Sequence, residues 1–267
     1  MLELQADRVL VVGDSHGDID FMRDAVCTAV KHNCRTLIQL GDFGYWPGTK
    51  GATYLSRVNI MAAQHKMRII VVEGNHDWPD LYKGFPVDEH GFGVHPGQEE
   101  PWALHAPRGI RFMLGGYQVG VMGGAVSIDA ASRVLGRDWW PEELPSMREL
   151  ESIGTEPFDI FLTHSPMAGS IFPAPTKLAE TSPIWRSNAQ FQESLREIAE
   201  CSKPRLHLHG HMHYPVQYTI EYRDGSAVQC RSIGANVDHP HQTPNVLRYG
   251  CFQVLDLEPP GISMHMV

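Results

Sequence analysis

Five short segments constrain this chain most. They are Gly13-Asp14-Ser15-His16-Gly17, Gly41-Asp42, Gly74-Asn75-His76-Asp77, Thr163-His164 and Gly210-His211-Met212-His213. Four of them directly follow apolar runs that read as β-strands, at 9–12, 37–40, 69–72 and 160–162. The fifth follows the mixed run 205–209. Side chains that bind metals or carry protons, gathered at the ends of several strands, build one site from distant sequence. A single domain over 1–267 is therefore expected, since that site needs residues from 14 to 213. Length alone would also allow two small domains.

The rest of the chain fits this arrangement. Phe21, Met22, Ala25, Val26, Ala29 and Val30 recur at helical spacing after the first strand, with Asp18 as the predicted N-cap. A strand at 36–40, a helix around 52–65 and a strand at 68–72 complete a βαβαβ opening. Such an opening implies parallel strands with crossover helices and ligands at the carboxyl ends of the strands. Gly115-Gly116 between 111–114 and 117–122, and Asp224-Gly225 between 217–222 and 227–233, predict two hairpins. A helix is expected over 187–201, and a last strand near 251–255 is expected to close a second sheet. Segments 79–110, 127–157 and 165–186 read as loops over the site, the first with short strands.

Composition excludes some classes. A net charge of −9 argues against an extended nucleic-acid groove, which needs a basic footprint. It leaves room for a small anionic substrate, because two divalent cations add positive charge locally. Five scattered cysteines without CxxC spacing read as thiols in a reducing compartment. With no run approaching the roughly 20 apolar residues of a membrane span, the protein reads as soluble and cytoplasmic. Its sequence leaves the oligomeric state open.

The motif chemistry is that of metal ligands. Asp14 and His16 stand two apart at a strand end, where extended backbone turns both side chains the same way. Asp42 has two carboxylate oxygens and is the natural bridge between two ions. Asn75 offers a carbonyl oxygen, and His164, His211 and His213 offer imidazole nitrogens; in a turn, the last two can reach different ions. Mixed nitrogen and oxygen donors suit Mn, Fe, Ni, Zn or Co better than Ca or Mg, and Mn is the favoured expectation. Gly-Asp alone is usually a turn, and Asp14-Ser15-His16 alone could be turn chemistry with a surface histidine. Five such segments in order are not readily a coincidence of turns.

The ordered set Asp-x-His, Gly-Asp, Gly-Asn-His-Asp, His and Gly-His-x-His resembles that of the calcineurin-like metallophosphoesterases over residues 13–213. The resemblance implies a four-layer αββα sandwich of two mixed β-sheets flanked by helices. It implies that Asp14, His16, Asp42 and His213 hold a first ion, and Asp42, Asn75, His164 and His211 a second. It marks His76 as a catalytic proton donor, with Asp77 beside it either orienting the imidazole or capping a turn at 78–81. Two ions about 3.5–4 Å apart share a solvent molecule and lower its pKa, so the expected reaction is attack of hydroxide on a phosphoester.

Substrate choice is less constrained. Gly41-Asp42-Phe43-Gly44-Tyr45-Trp46 lacks the arginine that protein phosphatases of this superfamily carry shortly after Gly-Asp. That favours a phosphodiester, with its single charge, over a phosphomonoester or phosphoprotein. The stretch from Gly123 to Asp129, with Trp139-Trp140-Pro141-Glu142-Glu143 downstream, resembles a subset of small bacterial and phage members regarded as phosphodiesterases, some acting on 2′,3′-cyclic nucleotides. Arg137 and Tyr45 are candidate substrate contacts, with Arg133 an alternative to Arg137, and His209 is a candidate for orienting a ligand or phosphate. Phe43, Tyr45, Trp46, Trp78, Trp139, Trp140 and Trp185 crowd the expected rim, where stacking on a base competes with ordinary core packing. His207 reads as a core histidine. The remaining histidines, His239 and His241 among them, lack ligand spacing and read as surface residues. A nuclease of the same superfamily is one alternative; a non-catalytic scaffold is another, although it should have lost ligands that are all present here.

Overall fold

The structure, a computed structural model, describes residues 3–95, 100–172, 182–235, 250–257 and 261–267. Parts of the expected loops 79–110 and 165–186, together with His239 and His241, lie outside the described residues. Two seven-stranded mixed sheets form the centre.

The first sheet is built on β2 (Arg8–Val12), β3 (Thr36–Leu40) and β4 (Arg68–Val72), which pair in parallel. Their almost continuous apolar runs suit strands covered on both faces. β5 (Gly93–Val94) and β6 (Ala103–His105) extend this sheet beyond β4. β13 (Phe252–Asp256) and β14 (Ser263–Met266) extend it beyond β2, each antiparallel to its neighbour. The expectation that the strand near 251–255 closes the second sheet is thus corrected: β13 lies against β2, placing Phe252 opposite Val12. Pairing partners are chosen by long-range burial, which a local strand pattern does not encode.

The second sheet runs in the order β1 (Glu3–Leu4), β7 (Arg111–Leu114), β8 (Tyr117–Met122), β9 (Ile160–Thr163), β10 (Leu206–His209), β12 (Ala227–Ser232) and β11 (Val216–Glu221). Both predicted hairpins are present, as β7–β8 and β11–β12.

Three apolar layers hold the sandwich together. Val9, Val11, Ile38, Leu40, Ile70 and Val72 meet Val119, Val121, Ile160, Leu162 and Leu208 between the sheets. On the outer face of the first sheet lie α1 (Ile19–Lys31) and α2 (Gly48–His65), packed through Phe21, Met22, Val26, Tyr54, Leu55 and Val58. Asp18 caps α1, accepting from the backbone of Asp20 and Phe21. On the outer face of the second sheet lies α5 (Pro183–Ser202), packed through Phe191, Leu195 and Ala199. The result is the expected αββα order.

α5 begins four residues before the predicted start. Ser182 caps it, accepting from Trp185 N, and Pro183 occupies the first turn, where its missing N–H costs nothing. Short helices α3 (Pro79–Lys83) and α4 (Met147–Ser152) lie within segments read as loops. Among the described residues no helix is long and apolar enough to cross a membrane.

Candidate metal centre

All seven expected ligands lie just past strand ends that converge on one edge of the sandwich. Asp14 and His16 follow β2, Asp42 follows β3 and Asn75 follows β4; His164 follows β9, and His211 and His213 follow β10. The site therefore draws on both sheets.

Glycine is required because the approach is close. A Cβ on Gly74 would lie 2.1 Å from Asp42 N, one on Gly41 2.2 Å from His164 Nδ1, and one on Gly210 2.4 Å from Asp14 Oδ1. The expected ligands themselves strain the backbone. His16, Asp42, His211 and His213 adopt φ of 47°, 52°, 64° and 57°, left-handed values that cost a non-glycine residue about 1–2 kcal/mol. The expected extended alternation of Asp14 and His16 is therefore corrected: a left-handed turn at His16, not strand geometry, brings the pair together. Such conformations persist where surrounding contacts hold them. Here His16 N donates to Asp42 O at 2.8 Å, His76 N to Asp42 Oδ1 at 2.8 Å and His211 N to Asp14 Oδ1 at 3.1 Å.

Two sets of expected ligands meet at Asp42. Donor atoms of Asp14, His16, Asp42 and His213 all lie within 4.8 Å of one another. On the other side, His164 Nε2 lies 3.5 Å from Asp42 Oδ2 and 3.0 Å from Asn75 Oδ1, and the His164 and His211 rings are 5.1 Å apart. His164 Nδ1 donates to Leu40 O at 2.6 Å, which leaves Nε2 as the nitrogen turned toward Asp42 and Asn75. Asn75 is likewise oriented. Its Nδ2 donates to Ser127 Oγ at 3.0 Å, and Ser127 Oγ donates to Glu143 Oε2 at 2.6 Å, turning the Asn75 carbonyl oxygen inward.

The residues present fit metal ions. Asp14 and Asp42 are 0% and 1% exposed, and among the described residues no lysine or arginine pairs with either. Buried carboxylates without a cation are costly. Asp14 Oδ2 is buried with no hydrogen-bond donor aimed at it, although His213 Nε2 lies 3.0 Å away. His16 Nε2 and His213 Nε2 are 3.4 Å apart. Separations of about 3 Å among these nitrogen and oxygen atoms also match neighbouring ligands on one ion with bonds of about 2.0–2.2 Å. The field is also that of a cation site. Burial alone would lower the His164 imidazole, but the charges of Asp42 and Asp14 outweigh it and raise it to about 9.

His76 is half-buried beside the ligands, with Nε2 3.9 Å from Asp42 Oδ2. The Arg133 guanidinium lies along its ring, Nη1 3.0 Å from Nδ1 and Nη2 2.8 Å from Nε2, and also pairs with Asp129 at 2.8 Å. Both expected roles for Asp77 are corrected. Its buried carboxylate neither reaches the His76 ring nor caps α3, whose N-cap is Trp78 with no side-chain bond. Oδ1 accepts from Gly44 N and Tyr45 N, and Oδ2 from Phe43 N and Gly74 N, at 2.9–3.2 Å. Asp77 thereby pins the loop after Asp42 to the Gly74 turn.

Three further candidates stand elsewhere than expected. Tyr45 is 2% exposed and packs on Phe43, Tyr82 and Phe85, inside the core rather than on the rim. Arg137 points outward, its side chain 71% exposed and bound to Asp138, whereas Arg133 faces the site. His209 is buried, with Nε2 2.7 Å from Tyr218 Oη and Nδ1 3.1 Å from Gly210 O; its ring bonds to none of the expected ligands, and it is not among the described residues lining the cavity. His207 is a core residue bonded to Thr163. Among the aromatic rim candidates, Trp185 lines the cavity, while Phe43, Tyr45 and Trp140 are buried. Sequence reasoning missed Ser127 and Glu143 as supports of Asn75; nothing in their local pattern signals that role.

A cavity of about 680 Å³ opens from Asp42, Asn75, His76, His211 and His213 toward α5. Arg133 is the only lysine or arginine among its described lining residues, which also include Asp129 and Glu193.

Comparison with known proteins agrees with this fold. TT1561 of Thermus thermophilus is 12% identical, with 98% of this chain and 99% of that one covered and a TM-score of 0.52. A dimetal phosphatase from Danio rerio is 13% identical, with 97% and 95% covered and a TM-score of 0.54. Likeness at such identity establishes architecture alone. No curated protein matches. The family model for calcineurin-like phosphoesterases matches residues 7–215, well over half the chain, and the chain belongs to that family.

Proposed function

We propose that this protein hydrolyses small phosphodiesters, with 2′,3′-cyclic nucleotides as the leading substrates and Mn²⁺ as the favoured ion. Asp14, His16, Asp42 and His213 would hold one ion, and Asp42, Asn75, His164 and His211 the other. Lewis acidity and activation of water near neutral pH are what such a pair supplies when bound. His76 then protonates the leaving oxygen, as its place beside the bridging carboxylate suggests.

The observation that carries the diester reading is the charge of the cavity. The one guanidinium among its described lining residues, Arg133, is already paired with Asp129, and Glu193 lies on the same lining. A monoester dianion brings a second negative charge that finds no unpaired arginine or lysine among the described lining residues. A diester monoanion avoids that cost. The same acidic lining disfavours extended nucleic acid. The five cysteines are all thiols, which supports a cytoplasmic setting.

The test is turnover of an aryl monoester, an aryl diester, and 2′,3′- and 3′,5′-cyclic nucleotides at matched Mn²⁺ loading. Diesters should lead. A strong monoester preference overturns the reading, and no turnover with any divalent ion despite stoichiometric metal favours a scaffold.

A further inference from the structure

The cavity is larger than the reaction needs. At about 680 Å³ it sits in the range of pockets for whole ligands, about 300–1,000 Å³, although the metal ligands and His76 occupy only one end. The opposite wall comes from α5 and the segment after β9. On α5, Trp185, Asn188, Ala189, Gln192 and Glu193 all line the cavity. Their spacing of three and four residues is one face of a helix. The core face of α5 is a different stripe, Phe191, Leu195 and Ala199, so the cavity-facing stripe is not required for packing the sheet.

The chemistry of this wall is specific. Asn188 and Gln192, one turn apart, present neutral amides that are partly exposed and have no side-chain partner among the described residues. Trp185 and Phe172 add flat apolar surface to the same lining. Phe172 is braced edge-on by His209, with ring centres 5.7 Å apart, and by Tyr218, 6.1 Å apart. The segment itself is fixed to α5, with Ala168 N donating to Gln192 O at 2.9 Å and Arg196 Nη1 to Ala168 O at 3.4 Å. The wall is thus held in place while its amides stay open. Glu193 stands there with no lysine or arginine beyond Arg133 among the described lining residues, so a second phosphate is poorly received.

We infer that this end of the cavity is a nucleobase subsite. It binds the planar, uncharged heterocycle of the substrate, with Trp185 and Phe172 covering its faces and the Asn188 and Gln192 amides bonding its polar edge. Amides suit that edge because each offers both donors and an acceptor, and aromatic faces stack on any base. The inference rests on the diesterase reading above and names the group that such a diester carries.

Two measurements test it on the metal-loaded protein. The first is saturation-transfer NMR with free adenosine, guanosine, cytidine and uridine, which carry no phosphate. The second is the ratio of kcat/KM for a 2′,3′-cyclic nucleotide to that for glycerol 1,2-cyclic phosphate, which has the same reacting ring and no base. We expect saturable transfer to base protons of at least one nucleoside, lost in Asn188→Ala and Gln192→Ala. Each variant should lower the ratio about tenfold through KM, the loss of roughly one good hydrogen bond, with unchanged thermal melting. No nucleoside binding, or variants that lower both substrates equally, overturns the subsite. Nucleoside binding that is lost in the variants, without hydrolysis of either diester, keeps the subsite and rejects the diesterase reading instead.

Discussion

The two ends of the cavity are built in opposite ways. At the metal end, Asp14, Asp42, Asn75 and His164 are almost fully buried, glycines leave no room for a Cβ, and four ligands hold left-handed backbone. Nearly every polar atom there is oriented by another residue. At the α5 end, Trp185, Asn188 and Gln192 are partly exposed on a regular helix, and the two amides have no protein partner among the described residues. One end stores strain to preorganise a reaction; the other leaves groups open for a ligand. Chemistry is fixed by the fold, and substrate choice is left to side chains that the fold does not depend on.

That contrast can be broken most severely at His76. His76→Ala should retain both ions by metal analysis and lose on the order of 10²–10⁴-fold in turnover. Loss of an ion would place His76 among the ligands and erase its separate role.

Glu73 tests how firmly the metal end is held. It lies one residue before Gly74, buried, with Arg108 Nη2 3.1 Å and His105 Nε2 3.5 Å from its carboxylate. Arg108 also donates to the carbonyls of Glu142 and Glu143, joining this strand end to the loop that supports Asn75. Glu73→Gln should cost about 1.5–3 kcal/mol in denaturant unfolding, because the buried Arg108 guanidinium loses its nearest carboxylate and keeps Glu149, at 3.6 Å, and two carbonyls. Burial alone would raise the Glu73 carboxyl, but Arg108 and then His105 outweigh it and hold it at about 2, below its ordinary 4.5. A folded value below the unfolded one means stability that is present above about pH 4.5 and lost as pH falls toward 2. The variant should therefore flatten the acid limb of the stability curve in that window. An unchanged limb would show that the network does not anchor this end.

Asp77→Ala is the mildest of the three at the centre. It leaves four buried backbone N–H groups near Asp42 without their acceptor and should weaken metal binding about 10–100-fold by calorimetric titration. Unchanged affinity would mean that the Asp42 loop holds its shape without Asp77.

Much of this was legible in the sequence. The strands at 36–40, 68–72, 111–114 and 117–122 follow from apolar runs and a Gly-Gly turn, because those signals are local. The start of α5 was hidden by Pro183 and Trp185, which suggest a loop although Ser182-Pro183 is a sound helix start. The place of β13 beside β2 was not legible, since pairing depends on which strand edge remains open. Arg133 and Arg137 look alike in sequence. His76, far away in the chain, and the nearby Asp129 draw the first inward, while the second binds its chain neighbour Asp138 on the outside; only the contact with His76 is made by the fold.

The reaction chemistry is written locally along the chain. Few residue types ligate metals, and turns that bring them so close at strand ends demand glycine beside them, so a short motif carries both requirements. What Asp77 does and which wall faces the cavity emerge only once the chain is folded. Those depend on the packing of two sheets and on the direction of loop side chains, which are set by contacts between residues far apart in the chain.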